Sequence, residues 1–162
     1  MAMINKKQKD KEFQAVVFKL NDVNYAIGIK SIRDVIKLVD FVPLPNAPDY
    51  IAGVINLRGH IICTIDLRKK FNLKAKNTNK TRIIIVMIQG NPVGIIVDEV
   101  DEVITLKKSE IDLAPSIIDQ HLPGHCIIGI ANYNEKLIIL INVNNLLSPD
   151  DLQKMQITGN KI

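Results

Sequence analysis

Histidine and cysteine are the residue types in this sequence best suited to hold a metal ion, and they occur at two short spacings. His60 is followed by Cys63, and His121 precedes His125 and Cys126. Imidazole nitrogen and thiolate sulfur are the preferred zinc ligands. His60 and Cys63 are three residues apart in a segment with strand character, so their side chains point to opposite faces. We interpret Cys63 as a small core residue and His60 as an exposed one, and we expect no metal site and no cofactor.

Motifs for enzymatic chemistry are missing from the sequence. It contains no G-x-S-x-G, no Walker loop and no G-x-G-x-x-G, and nothing marks either cysteine as an activated nucleophile. The acids Asp98, Glu99, Asp101 and Glu102 are dense enough to suggest a divalent cation, but they fit no EF-hand spacing. A solvated strand edge is the favoured interpretation of these acids. We therefore expect a protein that is not an enzyme.

The segment from Arg68 to Arg82 is strongly basic. It carries seven positive charges and no acid, within a chain of net charge +4. A basic patch of this kind favours nucleic-acid binding when aromatic residues are interleaved with it, because bases stack on aromatic rings. Aromatic residues make up only 4% of the chain and tryptophan is absent. A solvated loop is the simpler interpretation, and nucleic-acid binding is kept as the alternative function.

Arg58 stands at the tip of a predicted hairpin. The β-prone runs Ile51 to Leu57 and His60 to Leu67 are separated only by Arg58 and Gly59, and glycine takes the positive φ that a tight hairpin turn demands. We take Gly59 and the nearby Asn56 as the structural residues of this turn. Asp34 lies among apolar neighbours and needs a cation. Arg58 either extends into water or pairs with Asp34, since a guanidinium matches a carboxylate with two parallel donors.

Length and composition allow one compact domain or two small lobes. The chain has 162 residues, of which 47% are hydrophobic, and this is enough for a substantial core. No apolar run approaches the length of a membrane helix, and the first residues lack the apolar stretch of a secretory signal. Two cysteines without paired spacing suggest a reducing compartment. We expect a cytoplasmic protein with a flexible tail over residues 1–12.

Most of the chain has strand character. Residues 31–36 are open to two interpretations, a short helical turn capped by Ser31 or a strand that continues to Val42. Pro43, Pro45 and Pro48 exclude regular structure from the loop before the hairpin. Ser148 and Pro149 predict the start of a C-terminal helix, as N-cap and first helical residue. The other predicted elements are strands over 13–20, 23–29, 82–89, 93–97 and 100–106, a short helix over 67–71, a polar connection over 74–80, a loop with one short helix over 111–121, and a hairpin over 126–143.

An internal repeat determines the predicted architecture. Shifting the hairpin segment 53–71 by 76 residues places it over 129–147, with Gly53 on Gly129 and Asp66 on Asn142. Shifting 25–38 by 68 residues places it over 93–106. Short, evenly spaced strands with tight turns favour small barrels. We therefore predict two lobes of about five strands each, with an apolar seam between them that forms a third core and a groove at its rim.

The segment LPNAPDYIAGVINLRGHIICTIDLRKKFNL (44–73) resembles the signature of the CheW-like domains, the bacterial chemotaxis coupling proteins. The preceding I-x-D-V-I (32–36) stands where that family has V-x-E-I-I. The resemblance extends from Phe13 to about Leu152. It implies a mainly β fold of two SH3-like five-stranded β-barrels with a short C-terminal helix. The expected CheW-like domain is 13–157, with subdomain 1 over about 13–88, subdomain 2 over about 89–147 and the helix over about 149–157.

The resemblance also implies a function and partners. Family members are non-enzymatic adaptors that connect the cytoplasmic tip of chemoreceptors to the regulatory domain of the histidine kinase CheA, without inserting into the membrane. Arg58 matches the family arginine implicated in receptor signalling and in pairing with the acid at position 34. The resemblance places Asp34 and Arg58 at the rim of a groove that binds a receptor helical hairpin. The apolar residues implied to line that groove are Ile32, Val35 and Val100.

Overall fold

The structure is a computed structural model that describes residues 11–112 and 126–159. Within these ranges the chain is mainly β. The strands are β1 (Glu12–Leu20), β2 (Val23–Gly28), β3 (Ile32–Lys37), β4 (Ile51–Leu57), β5 (His60–Asp66), β6 (Arg82–Ile88), β7 (Asn91–Val97), β8 (Glu99–Lys107), β9 (Ile111–Asp112), β10 (Ile127–Tyr133) and β11 (Lys136–Ile141). The α-helices are α1 (Leu67–Lys70) and α2 (Pro149–Gly159), and short 3-10 turns cover Ile29–Ser31, Lys108–Glu110 and Val143–Asn145.

Most predicted elements are confirmed, and the open segment is resolved. After a 3-10 turn at Ile29–Ser31 the chain runs as strand β3, so the strand interpretation of residues 32–36 is correct, but the strand ends at Lys37 and does not continue to Val42. Glu12 already pairs with Lys107, so the first strand includes the last residue of the expected tail. Of the loop and helix expected over 111–121, residues 113–121 lie outside the described ranges. At the C-terminal helix Ser148 acts as the predicted N-cap, because its hydroxyl accepts a hydrogen bond from the Asp151 backbone N–H at 3.0 Å.

The strands form two sheets that interleave along the sequence. One sheet has five strands in the order β3-β6-β7-β5-β4, and the other has six in the order β8-β1-β2-β11-β10-β9. We call them the five-stranded barrel and the six-stranded barrel. The barrels do not divide near residue 88 as expected. The hairpin β1–β2 belongs to the sheet of the later strands, because β2 pairs in parallel with β11. The hairpin β6–β7 belongs to the sheet of the earlier strands, because β7 pairs in parallel with β5.

The register of the strands reproduces the internal repeat. Cys63 pairs with Val93 in one barrel, and their equivalents Ile139 and Tyr25 pair in the other. Gly53 and Gly129 sit at the same irregularity of the two long hairpins. An added Cβ would lie 2.3 Å from the Val42 carbonyl oxygen at Gly53 and 2.4 Å from the Asp112 carbonyl oxygen at Gly129. Glycine is required at these positions because the backbone of the segment that precedes each hairpin, at Val42 and at Asp112, packs directly against it.

The apolar residues form three cores, as predicted. Each barrel has an interior, represented by Ile62 and Ile85 in the five-stranded barrel and by Ile104 and Leu140 in the six-stranded barrel. The largest cluster lies between the barrels and includes buried residues of both sheets, among them Phe18. We call this third cluster the seam. It couples the two barrels, because neither sheet could cover its seam-facing side alone.

Candidate functional site

The hairpin β4–β5 presents Arg58 on a constrained turn. Arg58 and Gly59 both have positive φ, +52° and +86°, which is the twist that a two-residue hairpin turn requires. The Asn56 side-chain oxygen accepts a hydrogen bond from the Gly59 backbone N–H at 3.0 Å. A left-handed conformation is uncommon for arginine, and the ladder on either side of the turn holds it in place. The base of the Arg58 side chain is therefore fixed, although its guanidinium is exposed.

Arg58 and Asp34 lie close together. An Arg58 Nη2 nitrogen is 3.4 Å from an Asp34 Oδ2 oxygen, and the side chains are 80% and 27% exposed. The other oxygen of Asp34 accepts a hydrogen bond from the Val35 backbone N–H at 2.9 Å, which orients the carboxylate. An exposed pair of this kind contributes little to stability because water screens it. It leaves most donors of the guanidinium available to another molecule.

A cavity of about 340 Å³ opens beside this ion pair, at the end of the five-stranded barrel. We call it the mouth cavity. Its lining combines apolar side chains with charged or polar ones: Leu57, Ile61, Ile62, Ile85 and Pro92, with Arg33, Asp34, Arg58 and His60. Ile62 and Ile85 belong to the barrel interior, so the floor of the cavity is the core of the barrel itself.

The five predicted groove residues do not form one continuous groove. Asp34 and Arg58 line the mouth cavity. Ile32 and Val100 are half-buried and pack against the seam. These two are equivalent in the repeat, and each lies within the first two residues of an outer strand of its sheet, β3 for Ile32 and β8 for Val100. Val35 is 38% exposed on β3. The seam residues Ile32 and Val100 are thus separate from the ion pair, although Ile32 and Asp34 share strand β3.

Arg68, which sequence reasoning placed in the basic segment, is instead the largest fully buried side chain in the described residues. Its guanidinium donates to both carboxylate oxygens of Asp66, at 2.9 and 3.0 Å, and to Asp98 at 3.0 Å. It also donates to the Lys76 carbonyl at 2.9 Å and to the Asn77 side chain at 2.7 Å. Burial works to lower the pKa of Arg68, but the bonds to Asp66 and Asp98 outweigh it and raise that pKa. The arginine stays charged.

This buried network ties the two barrels together. Asp98 is the residue at which the chain passes from β7 of one sheet to β8 of the other. Its second carboxylate oxygen accepts a hydrogen bond from the Asn21 backbone N–H at 2.8 Å, and Asn21 lies in the β1–β2 turn. The second repeat has Asn142 and Asn144 in place of Asp66 and Arg68. There Asn144 accepts directly from the Gln89 backbone N–H at 3.0 Å. The paired replacement of both charges was the sequence signal for this contact.

A second polar cluster attaches the C-terminal helix to the rest of the molecule. The Tyr50 hydroxyl donates a hydrogen bond to the Asp151 carboxylate, and the Lys70 ammonium donates to the same carboxylate at 3.0 Å. The Lys70 Nζ atom also lies 4.1 Å from the centre of the Tyr50 ring. Burial works to raise the pKa of Asp151, but hydrogen bonds from Tyr50, Ser148 and Lys70 outweigh it and lower the pKa to about 2. Burial and the bond to Asp151 raise the pKa of Tyr50. Leu152 and Met155 of the helix then pack into the seam.

The basic segment is not a continuous basic surface. Arg68 is buried, and three of its lysines face acids: Lys69 with Asp49, Lys70 with Asp151 and Lys80 with Glu99. The continuous positive patch on which nucleic-acid binding was based is therefore reduced, and nucleic-acid binding stays an untested alternative.

His60 is exposed and Cys63 is half-buried against the seam, as the alternation predicted. Burial raises the pKa of the Cys63 thiol to about 11, so it is not an activated nucleophile at neutral pH. His121 and His125 lie outside the described residues. Within 11–112 and 126–159 no group of three or more His, Cys, Asp or Glu side chains could hold a metal ion. In the same ranges no helix is long and apolar enough to cross a membrane.

The chain thus forms a β module of two interleaved SH3-like barrels, one of which displays an exposed ion pair. The model of the CheW-like domain family matches residues 14–150, and the chain belongs to that family. It is 34% identical to the chemotaxis protein CheW of Helicobacter pylori, over 92% of this chain and 91% of that protein. It is 37% identical to the chemotaxis protein CheW of Bacillus subtilis, over 85% and 88%.

A solved structure agrees with the fold. The scaffolding protein TtCheW from Thermoanaerobacter tengcongensis superposes with a TM-score of 0.76 at 34% identity, covering 87% of this chain and 91% of that one. The family and these relatives support a role as a chemotaxis scaffold rather than an enzyme.

Proposed function

We propose that this protein couples chemoreceptors to the histidine kinase CheA, holding both partners without catalysing a reaction. In this proposal the receptor's cytoplasmic tip contacts Arg58, Asp34 and the apolar residues Ile32, Val35 and Val100, and the regulatory domain of CheA binds elsewhere on the barrels. The protein acts in the cytoplasm and reaches the membrane only through its partners.

The observation that carries the proposal is the presentation of Arg58. A functional guanidinium needs a fixed position and free donors, and Arg58 has both: its backbone is fixed by the turn, and its side chain is 80% exposed. Asp34, at 3.4 Å, orients the guanidinium without burying it. Ile32 and Val100 add apolar area at the seam, where a helical hairpin could bury one face.

The test is co-sedimentation of the purified protein with a receptor signalling fragment and CheA. We expect the wild-type protein to sediment with both partners. Arg58→Asp keeps the turn, because aspartate tolerates positive φ, and reverses the charge. We expect it to bind the receptor fragment at least tenfold more weakly while it still binds CheA. Absence of wild-type binding to both partners would refute the coupling function, whereas full coupling by Arg58→Asp would refute only the role of Arg58.

A further inference from the structure

We propose that the mouth cavity is a socket for one apolar side chain of the receptor tip, which the receptor presents beside acidic residues. The inference rests on the proposed function and specifies the chemistry of the receptor segment that meets Arg58. It adds a contact that is separate from the apolar residues at the seam.

The lining of the mouth cavity suits an apolar side chain. Its volume of about 340 Å³ lies within the range of ligand-sized pockets, and its floor is formed by Ile62 and Ile85 of the barrel interior. Leu57 and Pro92 complete the walls. Ile61 is 54% exposed at the same cavity, so apolar area is already in contact with water. An inserted leucine or phenylalanine would remove this area from water, which is the main source of affinity in such contacts.

The charges of the cavity select the residues beside the inserted side chain. Arg33 and Arg58 both line it, and Asp34 is the only carboxylate among its lining residues. Asp34 offsets one of the two guanidinium charges, so one positive charge remains even with His60 neutral. A guanidinium binds a carboxylate through two parallel hydrogen bonds. An apolar residue flanked by glutamate or aspartate therefore complements the socket, and one flanked by lysine is rejected.

The second repeat shows that the barrel fold itself does not require this arrangement. Tyr133 takes the place of Leu57 and packs its larger side chain against the interior of the six-stranded barrel. Asn134 takes the place of Arg58 at the same left-handed position, with φ +49°. Asp101 stands where the first repeat has Arg33. The same framework thus exists with a bulkier wall and without either arginine, so the barrel fold alone does not account for Arg33, Arg58 and the smaller Leu57.

The repeat also supplies the substitutions for the test. Leu57→Tyr copies the second repeat and narrows the cavity, and Arg33→Asp copies its charge. Ile61→Ser removes exposed apolar area at the cavity and leaves the core intact. The matched controls, Tyr133→Leu and Asp101→Arg, make the reverse changes on the six-stranded barrel. Each protein is titrated calorimetrically with a purified receptor cytoplasmic signalling fragment at low and high salt, and its folding is checked by circular dichroism.

We expect Leu57→Tyr to weaken binding about ten- to a hundredfold at both salt concentrations, because one buried apolar side chain is excluded. Ile61→Ser weakens it several-fold and keeps the inference testable if Leu57→Tyr does not fold. Arg33→Asp weakens binding about tenfold at low salt and less at high salt, as screening predicts. The controls bind within about twofold of the wild type.

Different results would refute the proposed function and the socket. If the wild-type protein does not bind the receptor fragment, the proposed function is wrong and the socket falls with it. If the wild type binds and both Leu57→Tyr and Ile61→Ser bind equally well, the socket is wrong and the coupling function stands. If Arg33→Asp binds as tightly as the wild type at low salt, the acidic part of the inference is wrong.

Discussion

Replacing Arg68 by asparagine tests whether the buried ionic network determines the stability of the molecule. The guanidinium makes five hydrogen bonds, and Arg68→Asn leaves Asp66 and Asp98 without their cation. Removing one partner of a buried ion pair costs about 3–5 kcal/mol of unfolding free energy, because the remaining charge is buried without compensation. For a domain of this size that corresponds to a fall in Tm of about 6–20 °C.

The double substitution Asp66→Asn with Arg68→Asn is the matched control. It removes one buried carboxylate together with the cation, and it copies Asn142 and Asn144 of the second repeat. We expect it to recover at least half of the loss. Urea unfolding followed by far-ultraviolet circular dichroism measures both variants. Trypsin should also cleave the segment 74–80 faster in Arg68→Asn, because that segment loses its bonds to Arg68. A loss below about 1 kcal/mol, as for a surface ion pair, would refute the reasoning.

Three further predictions concern other parts of the molecule. The pKa of Asp151 is about 2 when folded and near 3.9 when unfolded, so its contribution to the free energy of unfolding is present above pH 4 and is lost as the pH falls towards 2. Between pH 5 and pH 2 the wild type should therefore lose about 2–3 kcal/mol more unfolding free energy than Asp151→Asn, and equal losses would contradict this. Gly53→Ala should lower the Tm markedly, because its Cβ would meet the Val42 carbonyl oxygen at φ +148°, whereas the control Gly28→Ala has open space and should melt like the wild type. With its pKa near 11, Cys63 should react with iodoacetamide at pH 8 about a hundredfold more slowly than in urea-unfolded protein, and equal rates would show that the thiol is not buried.

Much of the fold could be predicted because its signals are local or repeated. Apolar alternation identified the strands, and the two-residue turn at Arg58 identified the central hairpin. The repeat predicted two barrels and a third core between them. The division near residue 88 was not predictable from these signals. Strands of either repeat satisfy the same alternation, and only the parallel pairing of β2 with β11 assigns the first hairpin to the later strands.

The candidate site was predicted less completely. The sequence offered the pairing of Arg58 with Asp34 as one of two alternatives, from charge in apolar surroundings, and the structure places the two groups 3.4 Å apart. The separation of this pair from Ile32 and Val100 depends on how β3 leaves the seam. Arg68 was misplaced because it stands in a run of lysines and resembles them in charge. Its main partner across the fold, Asp98, is thirty positions away along the chain, and no spacing rule connects them. The mouth cavity has no sequence signature at all, because it exists only where the hairpin, β3 and the start of β7 converge.

The exchange of hairpins between the repeats has a consequence for the order in which the molecule is made. All five strands of the five-stranded barrel have been synthesised once Val97 has left the ribosome. The first hairpin, although synthesised earliest, pairs in parallel with β11, so Tyr25 must wait for Ile139. During translation the sheet that contains the hairpin β1–β2 therefore stays incomplete until β11 has emerged. The five-stranded barrel can therefore form before the six-stranded one, and β2, although it is synthesised early, gains its second neighbour only with the last strand.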